Sequence, residues 1–187
     1  MTESLVSQLK DRLNLMQGAE TALPPVALWD TPLNGDIDIF IDREGRWIHE
    51  GGEIKRPALV ALFSSILRRE GDDYFLVTPY EKWRIRVAIA PFFVIDASLE
   101  QSAERQVVKL ITRTGEAIAV GIAHPLWIEQ SDTPKQPIPL VMVRDNMPAL
   151  LSRSVFYQLV SWGTENLRKE TLEIHSMGTS FHLGPIS

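Results

Sequence analysis

The spacing of apolar and polar positions changes several times along this chain, and each change marks an element. Over residues 3–17, Leu5, Leu9, Leu13 and Met16 fall on one stripe, with Lys10, Asp11 and Arg12 mostly off it, which predicts an amphipathic helix. Gly18 can end that helix in a left-handed conformation. A linker carrying Pro24-Pro25 follows and leads through Trp29 to Asn34. From Asp36 the period shortens to two. Ile37, Ile39 and Ile41 alternate with Asp36, Asp38 and Asp42, which predicts a half-buried strand with a solvated acidic face. Asp42-Arg43-Glu44-Gly45 reads as a turn, and residues 46–49 as a returning strand broken by Gly51-Gly52.

Leu59, Leu62, Phe63, Ile66 and Leu67 recur at three- and four-residue spacing, which predicts a helix over 57–69 with Arg68-Arg69-Glu70 in its last turn. Pro57 suits the first helical position, where its missing N–H costs nothing. Residues 74–78 and 83–88 read as paired strands around Pro79. Residues 91–96 open a second half. A hairpin over 106–112 and 116–122 follows, then a stiff turn marked by Pro134, Pro137 and Pro139, a strand over 139–144, a helix over 148–162 ended by Gly163, and a last strand pair over 171–176 and 180–183. The alternation of strand and helix that builds a parallel nucleotide-binding sheet is not seen.

The two helices match at an offset of 97. Ile54 falls on Leu151, Arg56 on Arg153, Ala58 on Val155, Leu59 on Phe156, Leu62 on Leu159 and Phe63 on Val160, while Trp83 and Ile85 fall on Phe181 and Leu183 at an offset of 98. Each helix follows a strand and precedes a strand pair. The expected fold is therefore α+β: two small domains built on a repeated strand–helix–strand–strand motif, with antiparallel sheets each carrying one helix. The expected divisions are an N-terminal helix at 1–22, an α+β domain at 23–90 and a second at 91–187.

The repeat places Arg56 and Arg153 alike, at or just inside a helix N-terminus, where free N–H groups and the helix dipole favour anions over cations. Two explanations fit. Either each arginine pairs with a nearby carboxylate (for example Glu50 or Glu53 near Arg56 and Asp145 near Arg153), or arginine and helix end together bind an anionic ligand. Trp47, His49, Tyr80, Lys82, Trp83, Arg84 and Arg86 come from neighbouring strands and form a second candidate group, able to stack a ring and hold a phosphate.

Little else offers chemistry. There is no phosphate loop, no GxGxxG and no GxSxG. The histidines at 49, 124, 175 and 182 lack the helical spacing of a metal pair. Serines 64 and 65 lie mid-helix without an identifiable base, and Glu81 and His49 are the only plausible acid–base residues. No cysteine occurs among the 187 residues, which excludes disulfides, thiol catalysis and cysteine-ligated metals. The net charge of −5 argues against bulk nucleic-acid binding. No stretch approaches the roughly 20 apolar residues that span a bilayer, and the N-terminus lacks the pattern of a secretory leader. The expectation is a soluble, cytoplasmic chain.

Leu23-Pro24-Pro25-Val26 with Trp29, Gly35-Asp36-Ile37-Asp38, Gly45-Arg46-Trp47, Ile54-Lys55-Arg56, the block from Leu59 to Glu70, and residues 74–79 with Glu81-Lys82 form a recognisable set. The chain resembles the proteobacterial domain-of-unknown-function family 1285, densely in its first half and more sparsely after residue 96. The resemblance implies a duplicated core, a C-terminal domain similar to pleckstrin-homology folds, and a site between domains for a nucleotide-like ligand with a role in signalling. No catalytic activity is established for that family, and no cofactor is expected.

The function expected is that of a non-catalytic ligand-binding or sensor module. Its candidate residues are Arg56 and Arg153 for the anion, Trp47 or Tyr157 for stacking, Lys82 as a further cation, and His49 and Thr78 beside them. The alternative is a protein-interaction adaptor whose C-terminal sheet edge accepts a partner strand. An enzyme ranks third.

Overall fold

A computed structural model describes residues 23–102, 105–130 and 136–186. The helix expected at 3–17, within the segment 1–22, and the proline at 134 lie outside the described residues. The chain divides into two compact units. The first holds the described residues up to Asp42 together with Arg46–Ala88. The second holds Arg43–Gly45 together with the described residues from Ile89 onward.

Among the described residues the first unit is a six-stranded sheet with one α-helix. Its elements are a 3-10 turn (Val26–Leu28), β1 (Leu33–Ile41), β2 (Trp47–His49), β3 (Gly52–Glu53), α1 (Pro57–Ser65), β4 (Leu67–Glu70), β5 (Asp73–Val77) and β6 (Lys82–Val87). The strand order is β3-β2-β1-β6-β5-β4, with β1 and β6 parallel and the other neighbours antiparallel. The period-two pattern of β1 is realised: Ile37, Ile39 and Ile41 are buried, while Asp36 and Asp38 are exposed and ion-pair with Arg84 and Arg86. Glu50 and Gly51, both at positive φ, form a two-residue turn between His49 and Gly52, so Gly52 opens β3 rather than only breaking β2.

α1 is shorter than its apolar spacing predicts. It stops at Ser65, whose hydroxyl donates to the Leu62 carbonyl at 2.7 Å, and residues 67–70 form β4 instead of a last helical turn. Ile66 and Leu67 are buried in this arrangement as they would be in a helix, so the apolar period cannot tell the two apart. What decides is β5, which gives β4 a full antiparallel ladder from Leu67↔Leu76 to Glu70↔Asp73.

The second unit contains β7 (Phe92–Ser102), β8 (Arg105–Thr112), β9 (Ala117–Ala119), β10 (Leu126–Gln130), β11 (Pro137–Arg144), β12 (Met147–Leu151), α2 (Arg153–Trp162), β13 (Thr164–Asn166), β14 (Thr171–Ser176) and β15 (Thr179–Pro185). Six strands order as β10-β11-β12-β7-β8-β9, and β13-β14-β15 form a separate sheet. Pro137, expected in the turn, belongs with Pro139 to β11, which begins two residues earlier than expected. Both lie in the part of that strand that pairs with β10 alone, where a missing N–H is tolerated. Residues 148–151 are strand rather than helix, because Asp145 and Asn146, both at positive φ, close a hairpin that pairs Pro148 with Met142. Ser152 then caps α2, its hydroxyl accepting from the Val155 N–H at 3.3 Å.

The duplication is visible in the strand register, and the repeated unit is larger than four elements. β1-β2-β3-α1-β4-β5-β6 corresponds to β10-β11-β12-α2-β13-β14-β15, with β7-β8-β9 added ahead of the second copy. Leu67 pairs with Leu76 as Thr164 pairs with Glu173, an offset of 97 in both strands. Leu76 pairs with Trp83 as Glu173 pairs with His182, so the last strand runs at an offset of 99 by register. β10 lies beside β15 as β1 lies beside β6.

Candidate functional site

The two arginines matched by the repeat stand where the sequence places them. Arg56 is the N-cap of α1 and Arg153 the first residue of α2, and both are exposed. Among the described residues neither guanidinium meets a carboxylate, Glu50, Glu53 and Asp145 included. Asp145 interacts with Arg144 instead. Neither helix has an acidic residue in its first turn.

The two helix ends differ in what they offer. α1 begins with Pro57, which has no N–H, and the Leu59 and Val60 N–H groups both donate to the Arg56 carbonyl. α2 begins with ordinary residues, and its cap takes only the Val155 N–H while Phe156 donates to the Ser152 carbonyl. The start of α2 is therefore the better anion end. Tyr157 follows Arg153 by four residues, which puts both on one helix face, and it is 67% exposed. A cation, open N–H groups and an aromatic ring thus share one face of α2.

The candidates on the first unit fare differently. Trp47 is 2% exposed and packs against Phe63 with ring centroids 6.0 Å apart. That burial removes it as a stacking platform for an external ring. Thr78 is buried and its hydroxyl is committed to the turn before β6: it accepts from the N–H groups of Tyr80 (3.2 Å) and Glu81 (3.0 Å) and donates to the Glu81 carbonyl. Lys82 donates to Glu70 Oε2 at 2.7 Å and lies 4.8 Å from the centre of the Phe75 ring, so it is not a spare cation. His49 is half-buried, its Nδ1 2.8 Å from the Asp38 carbonyl oxygen.

A charged cluster that the sequence reading missed lies on this same sheet. Arg68, Phe75, Arg84 and Asp36 sit in one cross-strand row. Arg68 pairs with Glu70 and donates to the carbonyls of Val26 (3.1 Å) and Trp29 (2.7 Å), which ties the 3-10 turn to β4. The hydrogen bond from Lys82, and then that from Arg68, hold the Glu70 carboxyl below its ordinary range. Arg68 and Glu70, two apart, face one side together only in a strand, so reading 67–70 as helix concealed the cluster.

The second unit has two comparable groups. Glu116 accepts from the hydroxyls of Thr112 and Thr114 and faces Arg144 at 3.6 Å; burial lowers the Arg144 guanidinium from its ordinary value. On β14 and β15, the ring of His175 meets the Ser180 hydroxyl at 2.8 Å on an exposed surface. His124 Nδ1 contacts the Met142 carbonyl at 3.0 Å, a strand-end role. Among the described residues no three metal-ligating side chains gather, and no helix is long and apolar enough to cross a membrane.

Fold and site together define a duplicated, two-unit α+β protein with an exposed cation at the start of each helix. The family models for the N-terminal and C-terminal domains of the domain of unknown function DUF1285 match residues 24–90 and 91–183. The chain belongs to the DUF1285 family. A crystal structure of a DUF1285 family protein from Silicibacter pomeroyi DSS-3 is 37% identical, with a TM-score of 0.84 and 95% of each chain covered. A second, from Shewanella baltica OS155, is 24% identical with a TM-score of 0.52, covering 67% of this chain and 91% of its own, and supports the fold alone. No curated protein matches the chain.

Proposed function

We propose that this protein is a non-catalytic sensor that binds a small anionic, nucleotide-like ligand on the Arg153 face of α2. The observation that carries this reading is an exposed arginine without a carboxylate partner among the described residues, at the better anion end of the two repeated helices, with the exposed Tyr157 ring one turn further on. A phosphate takes the guanidinium and the first N–H groups, and a base stacks on the tyrosine. Arg56 offers the first unit a weaker version of the same end, because Pro57 withdraws an N–H.

Thermal unfolding of the purified protein against a panel of mono- and dinucleotides tests it. Ligand at a hundred times its dissociation constant adds about 2.7 kcal/mol of stability. Arg153→Ala abolishes the gain, and Tyr157→Ala weakens binding by about 1–3 kcal/mol. A flat response across the panel refutes the reading.

A further inference from the structure

Among the described residues four nitrogens of the first unit are buried without a hydrogen-bond partner, Nε1 of Trp47, Nε2 of His49 and the Nε atoms of Arg68 and Arg84, and the first two have complementary chemistry. The indole nitrogen can only donate. The histidine is fixed in one tautomer by its other nitrogen. Nδ1 sits 2.8 Å from the Asp38 carbonyl oxygen, which can only accept, so Nδ1 carries the proton and Nε2 of the neutral ring presents a lone pair.

The two rings share one face of the sheet. Trp47 and His49 are two residues apart on β2, opposite Ile41 and Ile39 of β1, whose side chains point into the core. Alternate residues of a strand stand about 7 Å apart at their origins. One oxygen accepting from the indole and donating to the imidazole bridges nitrogens up to about 6 Å apart. Trp47 is only 2% exposed, so its indole nitrogen is cut off from bulk solvent.

We infer that Trp47 and His49 hold a single internal water molecule between them, which accepts the indole N–H and donates to the imidazole. This site is separate from the Arg153 face and stands whatever that face binds. The wild-type protein labelled with 15N tests it by nuclear magnetic resonance. The Trp47 indole signal is assigned by its loss in Trp47→Phe, against the four other tryptophans. The expected result is a cross-relaxation peak between that indole proton and a long-lived water, with His49 Nε2 showing the shift of an unprotonated, hydrogen-bond-accepting nitrogen. His49→Ala is expected to move the Trp47 indole proton while leaving the other four in place. Absence of the water peak in the wild-type protein overturns the inference, as does a protonated Nε2 at neutral pH. A crystal structure supplies the second arm, independent of either variant folding. One isolated density peak within 3.2 Å of both nitrogens supports the inference; no peak, or density continuous with a larger molecule, overturns it.

Discussion

Replacing Ser176 by alanine tests the claim that one hydroxyl fastens the last sheet of the second unit to its neighbour. Ser176 is fully buried. Its hydroxyl donates to the Val120 carbonyl at 2.6 Å and accepts from the Val108 N–H at 2.9 Å, two backbone groups that lie on or beside β8 and β9. Val108 and Val120 are themselves fully buried, so water cannot replace the lost partner. Each buried backbone group left unsatisfied costs about 1–3 kcal/mol, and the pair about 2–4 kcal/mol allowing for relaxation. With a urea slope of roughly 2 kcal/mol per molar, the unfolding midpoint followed by circular dichroism falls by about 1 M or more. The control is Ser180→Ala on the same hairpin, whose hydroxyl among the described residues meets only the exposed His175 ring and whose loss costs about 0.5 kcal/mol or less. Equal midpoints for the two variants would falsify the assignment of Ser176 as the fastening residue.

Two further changes probe the turn at 42–45 and the Glu70 cluster. Gly45 has φ +69° and a Cβ built there would lie 2.4 Å from Cβ of Phe93, so Gly45→Ala combines backbone strain with a clash and lowers thermal stability by about 2–3 kcal/mol, read by calorimetry. Glu70→Gln removes the negative charge that Lys82 and Arg68 share and one of the two oxygens that accept from them, and because Glu70 is more than a third exposed the loss at neutral pH is only about 0.5–1 kcal/mol. The Glu70 carboxyl is depressed below its unfolded value of 4.5, so its stabilisation is present above pH 4.5 and disappears as pH falls through the lower folded value. The stability difference between wild type and Glu70→Gln therefore closes in acid; a difference that persists unchanged below that range contradicts the ion-pair account.

What the chain's own periodicity determined was local. The alternation of Ile37, Ile39 and Ile41 with aspartates makes β1 and its wet face from side-chain geometry alone, and the apolar stripes of 57–65 and 153–162 make both helices. The duplication was legible as well, because copied residues keep their spacing. Tertiary partners decided the rest. The apolar positions at 66–67 and 147–151 are compatible with helix or strand, and a neighbouring strand offering backbone groups settles which forms. Trp47, Thr78 and Lys82 have the chemistry of ligand groups, yet Phe63, the turn before β6 and Glu70 absorb them. Arg153 meets no carboxylate among the described residues, and Tyr157, although its ring lies 6.3 Å from that of Phe156, stays 67% exposed. A residue type states which interactions are possible; the folded surroundings determine which of them are already spent.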